Sequence, residues 1–450
     1  MSTARTEMVA EVLRRFAAAI RSGQLYARTH PIIGRNVAAL GEALRRVHDQ
    51  NPSIVIGIVG DEIIVDDTPA PRGDNLTGFV RRLKQIGVER VTIDRGVTHD
   101  EIAEFINAIV TVEPLRDESS LPEFQHIRVG RVTVEDQQTT PADMATFKRM
   151  YSEAVKLAET VWESARTESQ PDAPAARTMV ESLAQAISEN RTALVALSTL
   201  RQHDEYTFTH MVNVSILTMS QARSLGIDGP LLREFGLAAL MHDIGKVRTP
   251  LEILNKPEKL TTEEFAVLRR HPVDGAGMLR ATPDIPALAP IVAFEHHLRL
   301  DGTGYPNGVS RPTLNLGTML CSIADVYDAM RSQRAYQQAF PSDRILQVLE
   351  CNDGSQFDQH LVRRFAQLIG IYPAGSVVRL DTGELAVVVT VHAPDPDRPH
   401  VKIVADAHGS RLDTPRDLNL WEQSASSDGP RSIAAPVDSD SVDFDPLALL

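Results

Sequence analysis

The sequence predicts a mainly α-helical protein: an all-helical module in the second half of the chain, a small α/β domain before it and a small β appendage after it. Three observations carry this expectation. Most of residues 202–369 place apolar side chains at helical spacing, interrupted only by proline and glycine clusters at 255–258, 282–290 and 301–312. Before about residue 136, helical and β-rich runs alternate instead. After Pro373 the helical period disappears and short β-rich runs replace it.

Residues 6–21 and 34–48 have helical spacing, and 53–65 reads as two β-rich runs hinged at Gly60 and Asp61, a hairpin. Strands follow at 90–93 and 126–134, with helices at 76–86 and 100–110, which makes residues 1–136 an α/β accessory domain. Domain order alone suggests a sensory or dimerisation role for it. His30, in LYARTHP, reads as a helix-end residue, and Asp61, Asp66 and Asp67 read as a solvated turn. A helical linker over 137–200 comes next, with helices at 143–165 and 177–200 broken by RTESQPDAPA at 166–175. The all-helical module occupies 201–372 and places its functional loops at the breaks. The appendage, 373–422, has strands at 376–380, 385–391 and 400–404, a tight turn at 381–383 and a proline-rich loop at 393–399. Residues 423–450, rich in Ser, Asp and Pro, read as a disordered, frayed tail rather than a docking peptide.

A composition of 42% apolar and 24% charged residues over 450 residues is that of a globular protein with more than one core. No segment approaches the run of about 18 apolar residues that a bilayer span requires. The amino terminus intersperses Glu7, Glu11, Arg14 and Arg15 among its apolar residues and lacks the apolar stretch of a signal peptide, so a cytoplasmic location is expected. The net charge of −14 argues against bulk nucleic acid as a partner. A small anionic substrate requires metals or a few basic residues to supply positive charge locally. Cys321 and Cys351 are too few for a disulfide framework and are both expected to be small core hydrophobes. Long helices on both sides of the linker would suit a homodimer.

The chemistry sits between His210 and Asp325. LLREFGLAALMHDIGK reads as an apolar helix ending at His242 and Asp243, with Gly245 letting the chain turn. Neighbouring residues on a helix diverge by about 100°, so the two cannot share all their contacts: one can hold a single metal while the other's two oxygens bridge a pair. Lys246, three residues beyond Asp243, is placed to meet a phosphate oxygen. His210 lies on the preceding helix, His271 opens the HPVDG helix, and His296 with His297 closes another. Asp325 lies on the apolar helix LCSIADVYDAM, where a carboxylate needs a partner to offset its desolvation. Imidazoles and carboxylates without thiolates suit iron, manganese, zinc, cobalt or nickel. Two such ions can clamp a phosphodiester and activate a water, so no Ser or Cys nucleophile is needed.

These motifs resemble the HD-GYP group of the HD-domain phosphohydrolases: HDIGK from His242 to Lys246, KPEKLTTEEF with HPVDGA after it, EHHLRLDGTGYP from Glu295 to Pro306, and IADVYDAM followed by RSQRAY. The resemblance covers residues 204–340 and runs more weakly to Tyr372. It implies an all-helical metal-dependent phosphodiesterase that hydrolyses cyclic di-GMP to pGpG or GMP with two divalent ions, iron first among them and manganese next. His210, His242, Asp243 and Asp325 would surround one ion. Asp243 would bridge, and His271, His296 and His297 would complete the second. Asp243 and Lys246 would carry the catalysis. Asp301, Gly302, Gly304, Tyr305 and Pro306 would form the loop beside the substrate, and Arg334 would contact the cyclic dinucleotide. The chain departs from the family at Leu298, where Glu is usual, at Leu300, where tryptophan is usual, and at Gln337, where a second basic residue is common. Tyr206 stands where a third metal would draw its carboxylate, so two ions are expected. The departures leave two alternatives: another cyclic dinucleotide or phosphoester as substrate, or a non-catalytic dinucleotide-binding signalling module.

Overall fold

The computed structural model describes residues 3–26, 30–49, 51–59, 62–65, 68–69, 76–86, 88–111, 122, 124–130, 141–198, 206–309, 314–332, 340–351, 355–392, 395–421, 431–438 and 441–450. The chain forms two compact units, one of Met1–Val134 with Leu225–Ile227 and one built from Glu135–Ser224 and Asp228–Leu450. Gly60, Asp61, Asp66, Asp67, Arg334 and Gln337 lie outside the described residues.

In the first unit, α1 (Thr3–Leu25) and α2 (Pro31–His48) precede the hairpin of β1 (Ser53–Val59) and β2 (Glu62–Val65). Then come β3 (Thr68–Pro69), α3 (Thr77–Gln85), β4 (Arg90–Asp94), α4 (His99–Thr111) and β5 (Ile127–Gly130). The sheet is antiparallel, in the order β3-β2-β1-β4-β5. Ile54, Ile56, Val91 and Ile93 share its core with Phe16, Leu44, Leu83 and Phe105 from the helices. His30 caps α2, its Nδ1 accepting from the Ile32 amide at 3.2 Å, which is the helix-end role expected of it.

The second unit is helical up to Ile369. The stretch expected as a linker forms α5 (Pro141–Glu168) and α6 (Ala173–Ser198), and both pack on the helices that follow, with Met179, Val180, Leu183 and Ile187 buried along α6. The helices α7 (Tyr206–Ser224), α8 (Gly229–Leu240), α9 (Leu251–Leu254), α10 (Thr262–Leu268), α11 (His271–Ala281), α12 (Leu288–Glu295), α13 (Leu316–Arg331), α14 (Ser342–Cys351) and α15 (Gln359–Ile369) complete it. Cys321 is buried as expected, whereas Cys351, the last residue of α14, is exposed: helical periodicity at an element's end does not say which face the core takes. No helix among the described residues is long and apolar enough to cross a membrane.

The appendage is a five-stranded antiparallel sheet, larger than expected. β6 (Val377–Leu380), β7 (Leu385–Thr390) and β8 (His400–Ala405) match the expected strands, and β9 (Arg411–Asn419) and β10 (Ile433–Val437) are additional. The order is β10-β6-β7-β8-β9. β9 (RLDTPRDLN) and β10 (IAAPV) are edge strands, each with a proline and little buried surface, so they lack the alternating apolar signal of a half-buried strand. The tail expected to be disordered is therefore structured where it is described. β10 pairs with β6, Val442, Phe444 and Leu449 pack on the sheet's second apolar cluster, and Lys148 of α5 holds Asp445 at 2.6 Å. Its polar composition misled because a few apolar residues suffice for a strand that borrows its hydrogen bonds from a neighbour.

Candidate metal centre

Five helix ends and helix faces converge on one polar cluster inside the helical unit. α8 stops at Leu240, and Asp243 leads into a tight 3-10 turn over Ile244–Arg248. In that turn residues three apart eclipse, which sets the Lys246 ammonium against the Asp243 carboxylate. Gly245 allows α11 to approach: a Cβ there would collide with the His271 carbonyl oxygen. The crossing brings Asp243 to His271. Asn315 caps α13 and donates to Glu295, as does Thr318, so the helix bearing Asp325 is tied to the end of the helix bearing His296 and His297.

The expected ligands fall into two adjoining groups, His210, His242 and Asp325, and Asp243, His271, His296 and His297, with donor atoms in each group within 4.8 Å of one another. Asp243 faces both. Its Oδ2 lies 3.4 Å from His242 Nε2 and 3.8 Å from His210 Nε2, while its Oδ1 lies 3.1 Å from His271 Nε2 and 3.5 Å from His296 Nε2. Asp325 Oδ1 is 3.2 Å from His210 Nε2 and 3.7 Å from His242 Nε2.

The tautomers of four imidazoles follow from their other nitrogen. Nδ1 donates to the Ala239 carbonyl in His242 (2.7 Å), to Leu268 in His271 (2.7 Å), to Ala293 in His296 (2.9 Å) and to the Asp328 carboxylate in His210 (2.7 Å). Each Nε2 therefore faces the centre, where the neutral ring offers a lone pair. His271 Nε2 and His296 Nε2 stand 3.2 Å apart. His242 Nε2 and Asp243 Oδ1 are buried without a hydrogen-bond partner among the described residues. Converging lone pairs and orphaned buried acceptors are costly unless a cation takes them up, and nitrogen and oxygen donors without sulfur fit a pair of divalent ions.

The ionisation pattern agrees. Burial opposes ionisation of Asp243, but Lys246, His242 and His271 outweigh it and hold the carboxyl well below its usual range. Burial likewise opposes the Asp325 charge, and His210 and His242 overcome it. Burial disfavours a proton on His242, yet Asp243 and Asp325 lift its pKa to about 10. His296 goes the other way, lowered to about 4 by burial and by the neighbouring imidazoles of His242 and His271. The two carboxylates thus call for positive charge at the centre, which a proton on His242 supplies and a divalent ion would supply in its place.

Beside the cluster, Tyr305 lays its ring 4.4 Å from that of His297 and 6.1 Å from that of His271. Gly302 and Gly304 have φ of 79° and 95°, and a Cβ on Gly304 would meet the His297 carbonyl oxygen. Asp301 spends its carboxylate on Thr303 within the loop, at 2.8 and 2.6 Å, and Pro306 follows Tyr305 at the loop's end. Leu298, in the place of the usual Glu, is buried and bridges Gly304 through its backbone. Three contributors escaped the sequence reading. Asp328 and Asn213 lie three residues after Asp325 and His210 on the same helices, a spacing that marked them as neighbours of the ligands. Arg269 stacks its guanidinium over Phe265 at 4.4 Å and over Tyr305 at 5.2 Å, and no motif announced it.

Residues 179–361 match the HD-domain family, and residues 377–426 match a KOW domain associated with the HD domain. Residues 179–361 are thus an HD domain, and they carry the motifs of the HD-GYP group. A cyclic di-GMP phosphodiesterase of Pseudomonas aeruginosa is 40% identical over 248 residues, which are 55% of this chain and 59% of that protein. A cyclic di-GMP phosphodiesterase of Thermotoga maritima is 33% identical over 166 residues, 37% of this chain and 45% of the relative. The 3'3'-cGAMP-specific phosphodiesterase 3 of Vibrio cholerae is 33% identical over 168 residues, 37% and 36%. The matches thus span less than two thirds of each relative's length. The HD domain starts within α6, and the cluster of His210 to Asp325 falls wholly inside it.

Proposed function

We propose that the HD domain of this protein is a metal-dependent phosphodiesterase that hydrolyses cyclic di-GMP to pGpG, to GMP or to both, in the cytoplasm. One observation carries the reading: the two oxygens of Asp243 face two separate groups of donors, the geometry of a bridging carboxylate. Two divalent ions, iron first and manganese next, would supply Lewis acidity and an activated water near neutral pH. His210, His242 and Asp325 would hold one, His271, His296 and His297 the other, and Asp243 both. Lys246, a quarter exposed beside Asp243, offers its ammonium to a phosphate oxygen. Tyr305, pressed on His297, walls the site and presents an aromatic face to a nucleobase, with Gly302 and Gly304 keeping the loop backbone close. Arg334 is assigned to the dinucleotide by its motif alone.

The relatives named as 3'3'-cGAMP-specific favour a second reading, the mixed cyclic dinucleotide as substrate, and Gln337 in place of a basic residue is consistent with it. The full chain, purified anaerobically and assayed for bound iron and manganese, is incubated with cyclic di-GMP, 3'3'-cGAMP and pGpG while products are followed by chromatography. Hydrolysis of cyclic di-GMP at least about tenfold faster than of 3'3'-cGAMP, a margin of about 1.4 kcal/mol in barrier, supports the first reading. The reverse order supports the second, and bound metal without turnover of any of the three leaves a binding module.

A further inference from the structure

His210 is held from behind by a line of three buried hydrogen bonds that ends outside the matched HD domain. Its Nδ1–H donates to Asp328 Oδ2 at 2.7 Å, Asp328 Oδ1 accepts from Asn213 Nδ2 at 2.9 Å, and Asn213 Oδ1 accepts from the Tyr151 hydroxyl at 2.7 Å. All four side chains are buried. The line has a single proton arrangement. A carboxylate can only accept, so the Asn213 amide must turn its nitrogen to Asp328 and its oxygen away. That oxygen then needs a donor, and Tyr151 is it. Burial, and after it the charge of Asp328, keep the phenol protonated and therefore able to donate.

Without the Tyr151 hydroxyl, the buried Asn213 Oδ1 loses the donor that this line gives it. An Asn213 that shifts to regain one would draw its Nδ2 away from Asp328 Oδ1. Asp328 would then be free to move, and with it the imidazole whose Nε2 lies 3.2 Å from Asp325. Carboxylates behind a ligating histidine fix its orientation and raise its basicity. Tyr151 lies on α5, the first helix after the N-terminal unit in the chain and outside residues 179–361. The other group of donors, His271 and His296, leans on backbone carbonyls instead and does not share this line.

We propose that Tyr151 is a positioning residue for one of the two metal sites, acting through Asn213 and Asp328 on His210, so that α5 governs occupancy of the site of His210, His242 and Asp325 and not of its neighbour. The inference rests on the two-metal reading above but not on the identity of the substrate.

The test uses the full chain stripped of metal and titrated with manganese(II) against a competing chelator, alongside thermal melts of the metal-free protein. In Tyr151→Phe one of two manganese sites should weaken by about tenfold while the other stays within about twofold, the scale of losses behind a histidine ligand. Asn213→Ala should reproduce the one-site loss and covers the case that Tyr151→Phe folds poorly. Tyr327→Phe is the control: it deletes another buried hydroxyl, bonded to Ser342 at 2.8 Å, and should lower the melting temperature without separating the two sites. Both sites unchanged in Tyr151→Phe, both weakened alike, or the same one-site loss in Tyr327→Phe would overturn the proposal. A wild type that binds no manganese and no iron sinks the two-metal reading itself, whereas wild-type binding with a silent Tyr151→Phe sinks this inference alone.

Discussion

Among the described residues of the N-terminal unit, the buried side chains from Val9 to Ile127 are apolar apart from Ser22, His48 and Thr92. In the helical unit the interior holds His210, Asn213, His242, Asp243, His271, His296, Asp325 and Asp328 in one connected polar cluster. Each apolar side chain buried in the first contributes on the order of 1.5–3 kcal/mol to folding. The second devotes comparable space to ionisable groups, whose desolvation favours folding only when every charge has a partner. The first interior is complete as packed; the second is completed by whatever its lone pairs bind.

The contrast can be broken from its most sensitive point downward. Asp243→Ala removes the one carboxylate shared by both groups of donors. It should abolish two-ion binding and lower turnover by more than about a hundredfold, since losses behind a ligand alone reach 10–100-fold. Metal content and product chromatography read it. If the metal-free variant also melts far below the metal-free wild type, the polar interior is structural in its own right and the contrast fails.

The mirror experiment is Phe105→Ala, which opens a cavity beside Phe16 and Phe124 in the N-terminal core. A loss of about 3–5 kcal/mol is expected. Both tryptophans, Trp162 and Trp421, belong to the other unit, so their fluorescence reports that unit selectively while far-ultraviolet circular dichroism reports both. An early dichroism phase with an unchanged fluorescence transition and unchanged metal content is the expected result.

The smallest effect concerns the hydrogen bonds that tie Glu101 of α4 to His126, just before β5. Burial opposes the Glu101 charge, but the His126 amide at 2.5 Å and its ring at 3.0 Å prevail and lower the carboxyl's pKa. The unfolded state then binds the proton more readily, so Glu101 stabilises the fold above its usual carboxylate range and ceases to as pH falls through the lowered value. Urea midpoints of the dichroism phase at pH 7 and pH 4 should differ less in Glu101→Gln than in the wild type.

The same contrast governs what was legible in the chain. Helical periodicity placed the helices that bear the site, because an apolar stripe repeats locally and needs no knowledge of its partner. The motif residues His210, His242, Asp243, His271, His296, His297 and Asp325 stood out because each is a polar group in an apolar setting. β9 and β10 were invisible, since edge strands take their conformation from a neighbour, and the ordered tail was misread for the same reason. Asp328 and Asn213 were marked only by their i,i+3 spacing from Asp325 and His210, and Tyr151 was not marked at all, because a hydrogen bond between residues 62 positions apart leaves no trace in local spacing.

By itself, then, the sequence determined the fold class, the helical module with its appended sheet, and the set of side chains that meet at the centre, all of them properties of local pattern and residue chemistry. Only the tertiary structure decided which oxygen of Asp243 faces which imidazoles, which histidine nitrogen carries the proton, and that His210 is braced from α5. Those depend on directions in space at ångström scale, and hydrogen bonds and metal ligation are directional where the hydrophobic pattern that folds the chain is not.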